Sequence, residues 1–191
     1  PPRGVNLKLS RSHPKFLAEL FKIEAPEVAS GVVEIKSIAR EAGSRSKIAV
    51  HSNDEHVDPV GSCVGQKGVR VTTIMTELNG EKVDIIPWSE EPKEFVAKSL
   101  SPAKVLSIDV NVEERKAMIE VAEDQLSLAI GKGGQNVRLA AKLTGWRIDI
   151  KGIKGDEASS SGDDEGYASL STLKEVAEEI SKEEVAEEGK E

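Results

Sequence analysis

A stretch of this chain occurs twice. Residues 58–71 read DPVGSCVGQKGVRV and residues 124–137 read DQLSLAIGKGGQNV. At a constant offset Asp58 matches Asp124, Val64 matches Ile130, Gly65 and Gly68 match Gly131 and Gly134, and Val71 matches Val137. A repeat of this kind means that one supersecondary unit is built twice, and that the fold is two copies of a small module. The flanks repeat as well. Runs rich in β-branched residues predict two strands before each glycine loop, at 32–40 and 47–51, then at 105–110 and 117–122. Apolar residues at helical spacing follow each loop: Val71, Ile74, Met75 and Leu78, then Val137, Ala140 and Ala141. A third strand is predicted at 83–88 and at 146–151. Each unit opens with a helix, at 14–23 and 92–100, where Pro14 and Pro92 suit a first turn. Asp58 and Asp124 are both expected as N-caps of the helix entering the loop. The predicted class is α+β, in the order α-β-β-α-α-β, twice.

Composition narrows the chemistry. Apolar residues are 38% of the 191, enough for small cores, and aromatic residues are only 3%, too few for a face paved with stacking rings. The single Cys63 excludes an internal disulfide, and the scattered His13, His51 and His56 lack zinc-site spacing. No metal, no cofactor and no catalytic constellation is expected. No apolar run approaches the roughly 18 residues of a membrane span, and no signal peptide precedes Pro1. These features predict a soluble cytoplasmic protein that is not an enzyme and has no membrane partner.

The formal charge of −8 is unevenly spread. Residues 155–191 carry 13 acids and 3 bases, whereas residues 1–154 carry 21 acids and 23 bases. The body is therefore slightly basic, and the acidity belongs to the tail. Residues 155–166 are rich in Gly, Ser, Asp and Glu, the composition of a flexible linker. The expected division is 1–12 as the end of a preceding domain with its linker, 13–90 and 91–153 as the two units, and 154–191 as an acidic tail. Leu170, Leu173, Val176, Ala177 and Ile180 allow a helix over 169–188.

Each loop is Gly-x-x-Gly between two helices: Gly65-Gln66-Lys67-Gly68 and Gly131-Lys132-Gly133-Gly134. Glycine takes positive φ without steric cost, so two helices can meet in a tight turn. The following helix then points its unsatisfied N–H groups and positive dipole end at the loop, a place suited to phosphate. Lys67 and Lys132 add positive charge there. Val64 and Ile130 stand where a groove floor is wanted. One such loop is common in proteins, but two loops in two matching units are much more specific.

The segments AIGKGGQNVRLAAKLTGW (129–146) and DPVGSCVGQKG (58–68) resemble the tandem KH domains of the NusA family of bacterial transcription factors. The likeness extends to SRSHPKFLAELFKIEAPEV (10–28), KSIAREAGSRSKIAV (36–50) and LSPAKV (100–105), and covers about residues 3–152. It implies two type II KH domains that bind single-stranded nascent RNA and act in elongation pausing, termination and antitermination. It also implies contacts with RNA polymerase and other Nus-type factors, and a preceding OB-type barrel whose last strand would be Arg3 to Leu9. KH domains clamp about four backbone nucleotides with the glycine loop. By position, that assigns Gly65, Gln66, Lys67 and Gly68, and Gly131, Lys132, Gly133 and Gly134. Val64, Ile130, Ile85 and Ile148 are then expected to line the groove, with Arg70, Asn136 and Arg138 reaching phosphate or base edges.

The alternative is a KH-fold scaffold that binds proteins and little RNA. The two units differ in charge. Residues 58–88 hold Lys67, Arg70 and Lys82 against Asp58, Glu77, Glu81 and Asp84, whereas residues 124–154 hold six bases against Asp124 and Asp149. The second loop is expected to supply most of the phosphate affinity. Cys63, matched by Ala129, reads as a small packed residue, and Trp88 and Trp146 read as packing anchors. Arg40, Arg45 and Lys47 are candidates for a basic edge. The acidic tail is a candidate competitor for the basic second unit.

Overall fold

The computed structural model describes residues 9–154. The first unit runs α1 (Pro14–Glu24), α2 (Pro26–Ala29), β1 (Val33–Glu41), β2 (Arg45–Ser52), α3 (Pro59–Val64), α4 (Val69–Glu77) and β3 (Lys82–Pro87). The second runs α5 (Pro92–Ser99), β4 (Val105–Asn111), β5 (Lys116–Ala122), α6 (Glu123–Ile130), α7 (Gln135–Thr144) and β6 (Arg147–Ile153). The predicted order holds in both units. The four-residue α2, opened by Pro26, is an addition that no periodicity signals. The readings for residues 1–8 and for the acidic tail from 155 onward lie outside the described residues.

Each sheet has three strands, ordered β1-β2-β3 and β4-β5-β6. The first two strands of each form an antiparallel hairpin, and the third lies parallel to the second. Parallel pairing cannot be made by a tight turn. The crossover is supplied by α3–α4 in one unit and α6–α7 in the other, which puts each glycine loop midway along a crossover. Helix starts differ between the copies. Asp58 caps α3, accepting from Val60 N–H and Gly61 N–H, with Pro59 at the first helical position. Asp124 does not cap: α6 begins at Glu123 after Ala122, with Glu123 and Asp124 in its first turn. No proline holds the second helix back by a turn position, and both carboxylates sit favourably at the positive dipole end.

Leu17, Phe21, Ile48, Val50, Cys63 and Ile74 lie in the first core; Val96, Leu100, Ile119, Val121, Ile148 and Ile150 lie in the second. A third cluster joins the units. Ala39, Ala49 and Ile86, on the other face of the first sheet, meet Phe95 of α5 and Leu139 and Leu143 of α7. The first sheet is thus covered on both faces, and β2 is buried continuously from Ser46 to Val50.

The second sheet shows why the stacking stops. The core pairs Ile48–Ile85 and Ile119–Ile150 occupy matching places. The neighbouring outer pair Ala49–Ile86 then corresponds to Glu120–Lys151. Ser107, Asp109, Glu120 and Lys151 line a shallow depression on that face, and Lys116 pairs with Asp149 at 3.0 Å. Small apolar residues receive a neighbour; charged ones keep water, as in the outer face of a terminal repeat.

The expected basic edge is absent. Arg40 and Glu81 form a buried pair, Arg45 bonds Asp84 at 2.8 Å, and Lys47 is fully buried. The Lys47 ammonium donates to Asp84 and, across the junction, to the Ser101 carbonyl at 2.8 Å. Burial depresses the Lys47 pKa, and the Asp84 charge opposes that shift. Lys47 alone of the three ties the units together; Arg40 and Arg45 are spent on carboxylates within the first unit. Among the described residues no helix is long and apolar enough to cross a membrane.

Candidate nucleic-acid interface

Both glycine loops adopt one conformation. Gly65 and Gly131 end their helices at φ/ψ of 75/172° and 76/166°. A single turn of tight helix follows, over Gln66–Gly68 and Lys132–Gly134. Its middle residue is left-handed in both copies: Lys67 at φ 53°, Gly133 at φ 57°. Gly68 and Gly134, also left-handed, stand before α4 and α7. Neither helix start receives a side-chain hydrogen bond. The first N–H of each helix is taken by its own loop, Val69 N–H by the Gln66 carbonyl and Gln135 N–H by the Lys132 carbonyl, and the N–H groups behind it, at the starts of helices nine and ten residues long, receive no capping side chain. Exposed Gln66, Lys67 and Lys132 surround these amide sets. Each such arrangement suits an anion such as phosphate.

The first glycine of each loop is demanded by a close approach. A Cβ on Gly65 would lie 2.7 Å from Arg70 Cγ. A Cβ on Gly131 would lie 2.8 Å from Asn136 Cβ and 2.9 Å from its backbone nitrogen. Arg70 and Asn136 occupy equivalent positions, and both brace the loop from beneath. Arg70 donates to the Ser62 carbonyl and to Glu27 at 2.9 Å. Asn136 is 1% exposed and donates from Nδ2 to the carbonyls of Leu100, Leu128 and Ala129. Both side chains satisfy helix-end carbonyls. The expectation for Asn136 is a contact with RNA; the structure buries its side chain, with Nδ2 spent on these carbonyls and Oδ1 left without a partner among the described residues. Gly131→Ala is expected to destabilise the protein by about 3 kcal/mol, combining a glycine-only backbone conformation with a clash against backbone. Gly133→Ala, with nothing within 4 Å of its added Cβ, should cost only about 1 kcal/mol. Chemical denaturation of the two variants checks this; equal losses would remove the close approach as the cause.

The other predicted residues divide by burial. Val64 is half-buried beside its loop, and Ile130 is 8% exposed within the second core. Ile85 is half-buried against the first core. Ile148, expected in the groove, is fully buried in the second core. Arg138 is exposed but held. Its Nε donates to Glu41 at 2.7 Å, and Nη1 donates to the Gly133 carbonyl at 3.0 Å. The hydrogen bonds that Arg138 donates to Glu41 raise the Arg138 pKa and lower that of Glu41. Glu27, Glu41, Ser44 and Gln135 have no motif to mark them, because their partners lie 43 to 97 positions away.

Cys63 is fully buried, and burial pushes its thiol pKa up to about 12, so it is not a nucleophile. Trp88 meets His51 edge-on at 5.3 Å and packs on the cluster joining the units; Trp146 packs on the second core. Both are packing anchors. Among the described residues no group of three or more His, Cys, Asp and Glu is placed to hold a metal ion.

Known proteins resemble this chain over both units. Residues 11–88 match the model of the NusA-like first KH domain, and residues 92–158 match that of the NusA-like second KH domain. The chain is 57% identical over 166 residues to a transcription termination/antitermination protein NusA of Halalkalibacterium halodurans, covering 83% of this chain and 44% of that protein. It is 61% identical over 149 residues to the Bacillus subtilis protein of that name, covering 78% and 40%, and 56% identical over 149 residues to that of Thermus thermophilus, covering 78% and 38%. The chain thus spans about two fifths of the length of these relatives. The crystal structure of APE1850 superposes with a TM-score of 0.51 at 24% identity, over 74% of this chain and 96% of that one, which speaks to fold alone. Two glycine-loop units in the order α-β-β-α-α-β, each matched by its own family model, show that the chain belongs to the NusA family, of which it holds the two tandem KH domains.

Proposed function

We propose that this region binds single-stranded RNA, with one phosphate run clamped by the two glycine loops. In the cell that strand would be nascent transcript, and the binding would serve pausing, termination and antitermination alongside RNA polymerase and other Nus-type factors. The single observation that carries the reading is the pair of uncapped helix starts, α4 and α7, each behind an exposed Gly-x-x-Gly turn. Half-buried Val64 supports an apolar wall for bases beside the first loop. The names of the relatives support the transcriptional setting.

Phosphate affinity is expected to rest on backbone amides together with Lys67 and Lys132. Arg70 is neutralised by Glu27 and Arg138 by Glu41, so few cations displace counterions. Titration of the intact chain with short single-stranded RNA at several salt concentrations tests this. The log–log slope should be shallow, near −0.7 per phosphate neutralised and about −2 in total. Lys132→Ala should weaken binding by about threefold to tenfold, and Lys67→Ala by less, because six bases surround the second loop's unit against three in the first. Equal losses would defeat the asymmetry. A folded chain that binds no RNA would defeat the proposal and leave the scaffold reading in its place.

A further inference from the structure

The two loops are not anchored alike. The first is braced by its own unit, through Arg70, Ser62 and Glu27. The second is braced within its unit by Asn136, and has one more tie that crosses the junction. Glu41 closes β1, and the turn after it carries Ser44. Gln135 Nε2 donates to Glu41 Oε2 and to Ser44 Oγ, each at 2.8 Å. Arg138 donates to both Glu41 oxygens, at 2.7 and 3.2 Å. The same guanidinium donates to the carbonyl of Gly133, the left-handed residue of the second loop. A continuous path of hydrogen bonds therefore leads from the first unit's hairpin turn into the backbone of the second unit's phosphate loop. Among the described residues nothing comparable occurs in the first copy, where Val69 and Thr72 stand at the positions of Gln135 and Arg138.

A strand gripped by two loops gains affinity from the second only if the spacing between them is held, since that spacing sets the effective concentration of the second contact. We propose that Glu41 is a positioning residue for RNA: acting through Arg138 and Gln135, it holds the second glycine loop in register with the first unit, so that one strand meets both loops at a fixed spacing. The inference rests on the RNA-binding reading above. Glu41 itself is not assigned a contact with RNA.

The sign of the expected effect separates this from electrostatics. Removing a carboxylate beside an RNA site should tighten binding by charge alone. Glu41→Ala is expected to weaken it. The probes are a randomised pool of single-stranded RNA of about twelve nucleotides, a pool of about four nucleotides, and two four-nucleotide halves joined by flexible spacers of increasing length. With the full chain, Glu41→Ala should lose about fivefold or more for the long pool and stay within about twofold for the short one. The wild type should show one sharp optimum of spacer length, and Glu41→Ala a broad, lower one. Glu41→Gln, which keeps an acceptor for Gln135, should fall between. Unchanged or tighter binding of the long pool by Glu41→Ala, or an equal loss on long and short pools, would overturn the proposal. A folded wild type that binds neither pool would instead bring down the RNA-binding reading itself, and the wild-type measurement alone reveals that outcome.

Discussion

With Gln66, Lys67, Lys132 and Gly133 all replaced by aspartate, the protein is expected to stay folded and to lose at least about a hundredfold in affinity for single-stranded RNA. The charge of the two loops goes from two positive to four negative, at the tips where the uncapped amides of α4 and α7 point. Carboxylates placed there occupy the anion sites and repel phosphate. The fold should tolerate the change for specific reasons. Lys67 and Gly133 are left-handed, a conformation that Asp adopts more readily than most residues. A Cβ on Gly133 meets nothing within 4 Å. Gln66 and Lys132 are exposed, and the four glycines that flank the turns, Gly65, Gly68, Gly131 and Gly134, are kept. Circular dichroism and the urea midpoint establish that the variant is folded; fluorescence anisotropy with labelled RNA reads the affinity. A folded variant that binds like the wild type would make the loops mere turns.

The second large effect is on stability. Glu81 is fully buried between β2 and the hairpin turn of the first unit. Its carboxylate accepts from Arg40 Nε at 2.8 Å and Nη2 at 2.9 Å, from Ser46 Oγ at 2.6 Å and from the Gly43 N–H at 2.8 Å. The third nitrogen of Arg40 donates to the carbonyls of Arg11 and His13, so both charged groups are fully bonded. Glu81→Ala strands the Arg40 guanidinium in a buried site and is expected to cost about 3–5 kcal/mol. Replacing both, with Arg40→Met and Glu81→Leu, should cost much less, because no uncompensated charge remains. Urea unfolding of the two variants decides it; similar losses would show that packing and not charge is at stake.

The pair also sets a pH dependence. Burial alone would raise the Glu81 pKa, but the bonds from Arg40, Ser46 and Gly43 outweigh it and hold the carboxyl below its usual range. A depressed folded pKa contributes stability that is present above the unfolded carboxylate pKa and is lost as pH falls through the folded one. Wild-type stability should therefore decline on acidification below the ordinary carboxylate range, and the Glu81→Ala variant should lack that part of the decline.

Much of the site was legible because it is local. Gly65 to Gly68 and Gly131 to Gly134 are contiguous, and a glycine needed for positive φ announces itself in one dimension. The roles of Arg70, Asn136 and Arg138 were not legible. A polar residue early in a helix after a glycine loop looks like a ligand contact. Only the packed structure reveals that Asn136 turns back onto three carbonyls and that Arg138 faces a carboxylate 97 positions away. Asp124 failed as a cap because capping depends on where the helix starts, and the neighbouring Glu123 is an equally good first-turn residue.

By itself the sequence determined the module and its number. Repetition at a fixed offset, strand and helix periods and paired glycine turns depend on near neighbours, and near neighbours decide local backbone conformation. Tertiary structure alone decided how the modules are joined. Whether Ala39, Ala49 and Ile86 are spare apolar residues or a docking face depends on what Phe95, Leu139 and Leu143 meet. Whether Lys47 and Arg40 attract a ligand or are spent on Asp84 and Glu81 depends on which carboxylates burial brings beside them. Charges and apolar surfaces act through space, and the chain order of this protein does not encode the distances on which they act.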